Sequence, residues 1–377
     1  MRQMAPSRDC RRLPASSDRA NMIKQILLVC CCALLGVAGV SAAPGPAASG
    51  RAEAQDSPWL AVPIVSSDPK LGTSGGLMAA YLYRFDPAST ISMFGVTGLY
   101  TSTGSKVGGV FARTYFGEDR HRLVVFAGGG KVNNEYEDFL GSGFPLQTED
   151  NLRALAGRYL YRVYEHWFVG AQATNTNYTI VGQDAMSGEI LEKIGLTGFD
   201  SVGIGAVVNY DSRDNLNSPS SGFFADANNI AYRESLGGSV SFDVYRLGLK
   251  QYIGHGQGNV FVWYLSNHWT SDAPPGGYAT VRLRGYTAGQ YLGRNMSSLE
   301  AEERFRMGER WGLTAFAGIA CLYGGDKNCG DGKNIYPNGG AGLFFVLKPG
   351  ERMVATLEYA EGEGSNHGVY MRFGWGF

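Results

Sequence analysis

The sequence predicts an all-β protein, a transmembrane antiparallel β-barrel of about 16 strands, from three observations. The last nine residues alternate, with Val369, Met371, Phe373, Trp375 and Phe377 on one face of a strand and Tyr370, Arg372, Gly374 and Gly376 on the other. A soluble edge strand seldom ends a chain with its apolar face unshielded, whereas a lipid-facing strand does so, with Trp375 and Phe377 at the interfacial aromatic girdle. Second, beyond the N-terminal region no run of about twenty apolar residues occurs, which excludes a membrane-spanning helix. The mean hydropathy of -0.14 suits strands whose alternate residues face a polar lumen. Third, short turns alternate with long loops, the asymmetry of outer-membrane barrels.

The N-terminal region, residues 1–42, reads as a signal-peptide region. From Met22, a better start than Met1, Lys24 precedes an apolar run from Ile26 to Val40 and the small residues Ser41, Ala42 and Ala43. This predicts Sec export, cleavage near Ala42, passage through the periplasm and residence in the outer membrane of a Gram-negative cell. Residues 43–57 are mostly Ala, Gly, Pro, Ser and Glu and form a flexible linker, a composition unable to bury a core. Residues 58–377 are then a single barrel.

Strands are expected near 59–66, 71–84, 90–103, 105–116, 121–133, 151–164, 166–180, 199–212, 222–234, 239–254, 259–270, 296–308, 311–323, 339–348, 352–361 and 368–377. Short turns fall at 86–90, 117–120, 165–166, 215–221 and 255–258, and long loops at 134–150, 180–199, 271–295 and 324–338. The first strand is short and interrupted by Pro63. The alternation slips phase near Val244 and Tyr245, as it would at a bulge. An even count returns both chain ends to the periplasmic side.

Fifty-four glycines and 12% aromatic residues suit many short strands with tight turns, and 18% charged residues is low for a soluble surface. Removing the leader leaves 27 basic and 32 acidic residues, net -5, and no basic face that invites nucleic acid. Of six cysteines only Cys321 and Cys329 follow the leader. An oxidising periplasm permits them to pair as a loop-stapling disulfide, and two thiols without a nearby histidine make a poor zinc set. The five histidines are scattered over turns and strand ends, with no His-Glu-x-x-His motif or Gly-x-Ser-x-Gly elbow. No catalytic residue, metal or cofactor is therefore expected. Asp326, Asn328, Asp331 and Asn334 are oxygen-rich like a calcium loop, but Pro337 stands where an EF-hand needs its bidentate glutamate.

Two motifs carry a family resemblance. The longest loop contains Leu283-Arg284-Gly285-Tyr286, and an earlier turn contains Asp211-Ser212-Arg213-Asp214-Asn215, then Pro219 and Gly222-Phe223-Phe224. The first resembles the Arg-Gly-Tyr/Phe signature and the second the Asp-x-Arg-Asp-Asn hairpin of the BamA-like superfamily of outer-membrane insertases and translocators, which includes the bacterial surface antigens. The resemblance implies that the loop between the eleventh and twelfth barrel strands folds into the lumen and that Arg284 binds an aspartate on the thirteenth strand. Gly318 stands roughly where that aspartate is expected. On the twelfth strand Ser298, Glu300, Glu302, Arg304 and Arg306 share one parity, so Glu300 or Glu302 is expected to pair with Arg284 instead. The competing expectation is a solvated lumen face with Glu–Arg pairs of its own.

The resemblance implies a role in outer-membrane protein assembly or polypeptide translocation, with membrane lipids, the barrel-assembly machinery, and an unfolded client or periplasmic partner as its contacts. The linker is too short for the periplasmic POTRA domains of that superfamily. A passive channel, porin or structural surface barrel is the alternative. Closing the barrel sets the tail, with Phe373, Trp375 and Phe377, against the first strand at Pro63, which lacks a donor, so this seam is expected to be weak.

Overall fold

The computed structural model describes residues 57–68, 72–136, 145–183, 187, 189, 191–192 and 198–375. The predicted leader, nearly all of the linker and the terminal Phe377 lie outside them.

The described chain is a closed antiparallel barrel of sixteen strands, each paired with its neighbours in sequence. In chain order these are β1 (Trp59–Asp68), β2 (Gly72–Tyr83), β3 (Ser92–Thr101), β4 (Lys106–Phe116), β5 (His121–Tyr136), β6 (Leu146–Tyr164), β7 (Trp167–Gly182), β8 (Gly198–Asp211), β9 (Gly222–Tyr232), β10 (Phe242–His255) and β11 (Asn259–Ser271). After a long connection that holds a two-stranded hairpin, β12 (Ala279–Thr280) and β13 (Leu292–Gly293), come β14 (Asn295–Arg306), β15 (Trp311–Tyr323), β16 (Ile335–Lys348), β17 (Met353–Gly362) and β18 (His367–Phe373).

Period-two alternation decides which side chains meet lipid. On β14, Ser298, Glu300, Glu302 and Arg304 are buried while Leu299 and Phe305 are exposed. Leu77, Val96, Val110, Leu155 and Ile204 continue this exposed apolar surface round the barrel. An apolar exterior around a polar interior is the arrangement a bilayer selects. At the end with the short turns, exterior rings gather in edge contacts, Trp59 on Tyr81 at 5.1 Å, Trp167 on Tyr210 at 5.1 Å and Tyr83 on Phe85 at 5.0 Å, forming a girdle.

Several expectations are corrected by the register. There is no bulge near Val244 and Tyr245, because β10 pairs without interruption with β9 and β11. Its alternation looked broken because Phe242 and Val244 are apolar yet buried, Phe242 stacking on Tyr232 at 4.4 Å. The actual irregularities lie between Arg162 and Tyr164 and between Val346 and Lys348. Strands also run further than expected into the long loops: β5 and β6 stay paired to Tyr136↔Leu146, where a loop over 134–150 was expected. Polar residues end a strand inside a bilayer, but beyond it the backbone ladder continues regardless of side-chain polarity.

The tail departs from its expected place. Gly374, at φ 90°, ends β18, and Trp375 turns away from the exterior. Its ring packs 5.0 Å from buried Phe344 and beneath the Arg304 guanidinium, and its indole N–H donates to Ser218 Oγ at 3.2 Å. A left-handed glycine just before the tryptophan breaks the alternation that the girdle assignment assumed.

Barrel closure is uneven. β1 pairs with β2 over ten residues, whereas β1 meets β18 at only Ser66↔Tyr370 and Ser67↔Val369. Pro63, paired with Leu77 of β2, lies in the stretch of β1 that has no partner on β18 and brings no N–H to the seam. Cys321, near the end of β15, is joined to Cys329 in the following loop by a disulfide with Cα atoms 5.7 Å apart.

The turn after β8 depends on one backbone position. Gly222 has φ 109°, and a Cβ there would sit 2.4 Å from the Ser212 carbonyl oxygen. Gly222→Ala is therefore expected to destabilise the folded barrel by about 1–3 kcal/mol, read as a lower urea midpoint of the heat-modifiable folded band in detergent.

Candidate functional site

The loop motif meets the wall of β14–β17. Arg284 Nε and Nη2 donate to Glu300 Oε1 at 3.0 and 2.6 Å, and Nη1 donates to Glu302 Oε2 at 2.6 Å and Glu358 Oε1 at 3.2 Å. Its guanidinium lies over the Phe316 ring, 3.4 Å from the centroid. Both acids named from the sequence therefore contact Arg284, together with a third from β17. Arg304 Nε donates to Glu302 Oε1 at 2.7 Å, and Arg372 Nη1 to Glu358 Oε2 at 2.8 Å. Three guanidiniums thus answer three carboxylates, which lets the glutamates stay buried at 4%, 1% and 1% exposure.

Gly318 explains how the wall accommodates this. It sits directly across from Glu300 on β14 and from Asn338 on β16. A Cβ on Gly318 would lie 2.6 Å from Asn338 Oδ1 and 3.0 Å from Glu300 Cγ. The space that a side chain on Gly318 would take is occupied by these two neighbours. Asn338 Nδ2 then ties the parts together, donating to Glu300 Oε2 and to the Arg284 carbonyl, each at 2.9 Å.

The other motif residues fix the loop backbone. Gly285 has φ 95°, and a Cβ there would meet the Glu361 carbonyl carbon at 3.0 Å, so glycine allows both the turn and the close approach to β17. Tyr286 donates its hydroxyl to the Pro337 carbonyl at 2.6 Å and accepts the Glu363 amide at 2.9 Å. Leu283 is buried with Ala279, Val281, Met296, Leu322 and Tyr336. The Gly285 amide donates to the Tyr370 hydroxyl at 3.3 Å, so the last strand reaches the motif.

The second motif folds into a separate site at the short-turn end. Asp211, 5% exposed, accepts from Arg213 Nε at 2.7 Å and Nη2 at 2.8 Å and from Arg122 at 2.5 Å. Asp214 accepts from the Ser220 hydroxyl at 2.6 Å and from Arg352 at 2.9 Å. Burial would raise its carboxyl, but the Ser220 hydroxyl, the Ser221 and Ser220 amides and Arg352 outweigh this and hold it below the usual carboxylate range. Asn215 Oδ1 accepts the amides of Asn217 and Ser218 at 2.9 and 2.8 Å, shaping the turn around buried Pro219. Asn217 bonds Arg113 of β4 and the Glu351 carbonyl, so this turn reaches strands far from its own.

Glu358, Asn338, Phe316 and Tyr370 were not singled out from the sequence. Each lies on the inward parity of its strand, which was the available signal. Of the oxygen-rich loop residues, Asn328 Oδ1 accepts the Gly330 amide and Asp331 Oδ1 the Lys333 amide, as turn-formers do. Among the described residues no group of three metal-ligating side chains gathers.

No protein-family model matches this sequence, and no curated protein matches it. Solved structures do resemble it in fold. The crystal structure of BamA from Haemophilus ducreyi lacking POTRA domains 1–3 is 13% identical with a TM-score of 0.53, covering 84% of this chain and 69% of that one. CdiB from Acinetobacter baumannii is 11% identical with a TM-score of 0.56, covering 83% and 58%, and CdiB from Escherichia coli 10% identical with 0.55, covering 84% and 62%. This chain thus spans under two thirds of either CdiB chain.

Removing the Arg284 head would strand buried carboxylates, so Arg284→Ala is expected to cost about 3–5 kcal/mol, measured by urea titration of the barrel in detergent. Gly318→Asp alone is expected to destabilise by steric conflict and a fourth acid. Combined with Glu300→Gly, which frees the space and restores the charge count, it is expected to recover at least half of that loss; no recovery would mean that the two positions do not substitute for each other.

Proposed function

We propose that this protein is a Gram-negative outer-membrane barrel that acts on polypeptides, in outer-membrane protein assembly or in translocation, as the BamA-like resemblance implies. The observation that carries the reading is the six-charge cluster around Arg284, which fastens the 272–294 connection against the interior of β14–β17. In this reading the connection folds inward as a plug. A passive pore gains nothing from burying three carboxylates with Arg284 and Arg304 inside its own lumen, because such a cluster costs desolvation and is rarely better than apolar packing for stability.

The seam supports the same reading. Two residue pairs join β1 to β18 while at least seven join every other neighbouring pair of barrel strands. A ladder that is incomplete in hydrocarbon is expensive unless something is to pair with it. The last strand also touches both ends of the cluster, through Tyr370 on Gly285 and Arg372 on Glu358. Loop and seam are therefore mechanically joined, and a polypeptide strand added at β1 would be felt at Arg284. The membrane lipids surround the apolar exterior, the barrel-assembly machinery inserts the chain itself, and a periplasmic partner presents the client.

A cross-link between Ser67→Cys and Val369→Cys, which are register partners, holds the seam shut. Depletion of the protein is expected to lower the abundance of other outer-membrane barrels or of an exported polypeptide. The oxidised double-cysteine form is expected to fail to restore it, and the reduced form to succeed. Full activity of the locked barrel, or an unchanged outer-membrane protein census on depletion, would remove the proposal and favour a passive channel.

A further inference from the structure

Behind the Arg284 cluster lies a cavity of about 560 Å³ with an unbalanced charge. Its wall carries Arg158, Arg246, Lys250, Arg282 and Arg284 against two carboxylates, Asp226 and Glu300, an excess of three positive charges. Both acids are already engaged, Glu300 by Arg284 and Asp226 by Arg158 Nη1 at 2.8 Å. Arg246 and Arg282 form no ion pair among the described residues. Arg246 lies within electrostatic range of Tyr232 and of two further cations, Arg282 and Arg158.

The wall also presents unused polar atoms. His268 stands directly across from Arg246 in the β10–β11 register, and Asn228 across from it on β9. Arg246 Nε and His268 Nε2 are both buried and have no hydrogen-bond partner. Buried polar atoms and mutually repelling guanidiniums cost free energy when left unanswered. Beside them Arg158 is held by donating to Gln172 Oε1 at 3.0 and 2.7 Å, and Gln172 donates to Oδ1 of Asn228, the register partner of Arg246, at 2.9 Å. Cationic donors lining a cavity of small-molecule size form a receptor for negative charge.

We propose that this cavity binds a small, multiply charged phosphate-type oxyanion from the lumen, held between Arg246 on the wall and Arg282 on the loop. Guanidinium forks match phosphate oxygens in paired hydrogen bonds, which favours this chemistry over a monovalent anion. The ligand is a solute rather than a lipid headgroup, because the lining side chains belong to the inward parity of β10 and to the loop. Arg284 fastens the loop to β14–β17 on one side. An anion bridging Arg282 to Arg246 fastens it to β10 on the other, so the occupant holds the loop from two directions.

The test is calorimetric titration of pyrophosphate into the full-length barrel in detergent at low ionic strength. Saturable binding is expected, weakening at least about tenfold between 50 mM and 500 mM salt as screening of a charge-dominated contact requires. Arg246→Gln combined with Arg282→Gln is expected to weaken it at least about tenfold, while Lys131→Gln, an exposed pair with Glu149 far from the cavity, leaves it unchanged. Heat-modifiable migration establishes that each variant is folded. If the double variant does not fold, Arg282→Gln alone, in an exposed loop side chain, is expected to weaken binding at least about threefold. No saturable binding, equal affinity in the folded variants, or equal binding of the cation spermidine would overturn the proposal.

Discussion

One guanidinium ties the 272–294 connection to the wall strands β14 and β17. Arg284 is 4% exposed and within hydrogen-bond distance of three carboxylates carried by two strands that are not neighbours. A charge so far from bulk water is tolerable only when matched, and the match is made by bringing Arg304 and Arg372 to the far sides of the same acids. Removing any one member leaves an uncompensated charge, which makes the position of the loop an all-or-none property of the cluster. The loop, the wall and the last strand therefore share one electrostatic unit.

Backbone geometry makes that unit possible. Gly285 brings the loop within contact distance of β17, and Gly318 removes the side chain that would occupy the position of Glu300. In both cases the absence of a Cβ provides space for a neighbouring residue's polar atoms. The carboxylates that meet Arg284 come from β14 and β17, while β15 between them carries Gly318 at that level. A carboxylate can reach the same point in space from either of two adjacent strands, since antiparallel partners stand about 5 Å apart.

Much of the fold was legible because one physical rule, alternation across a strand, governs nearly all of the chain. The sixteen strands, the inward acids at Glu300 and Glu302, and the short-turn end could all be read from parity. Parity fails where packing overrides it. Phe242 and Val244 are apolar yet inward, Trp375 leaves the strand at a left-handed glycine, and β5 and β6 continue pairing through polar residues. Glu358 and Asn338 lay on the expected face but are more than fifty residues from Arg284 in sequence. Only closure of the sheet brings them together, and no local pattern encodes closure.

The inward turn of Trp375 changes what the tail displays at different stages of the molecule's life. In an unfolded chain the ring stands free, next to an alternating apolar strand. In the finished barrel it is stacked beneath Arg304 and against Phe344 and bonded to Ser218 of a distant turn. Folding thus turns a freely accessible ring into a half-buried one, so the tail shows this aromatic in full only before the barrel closes.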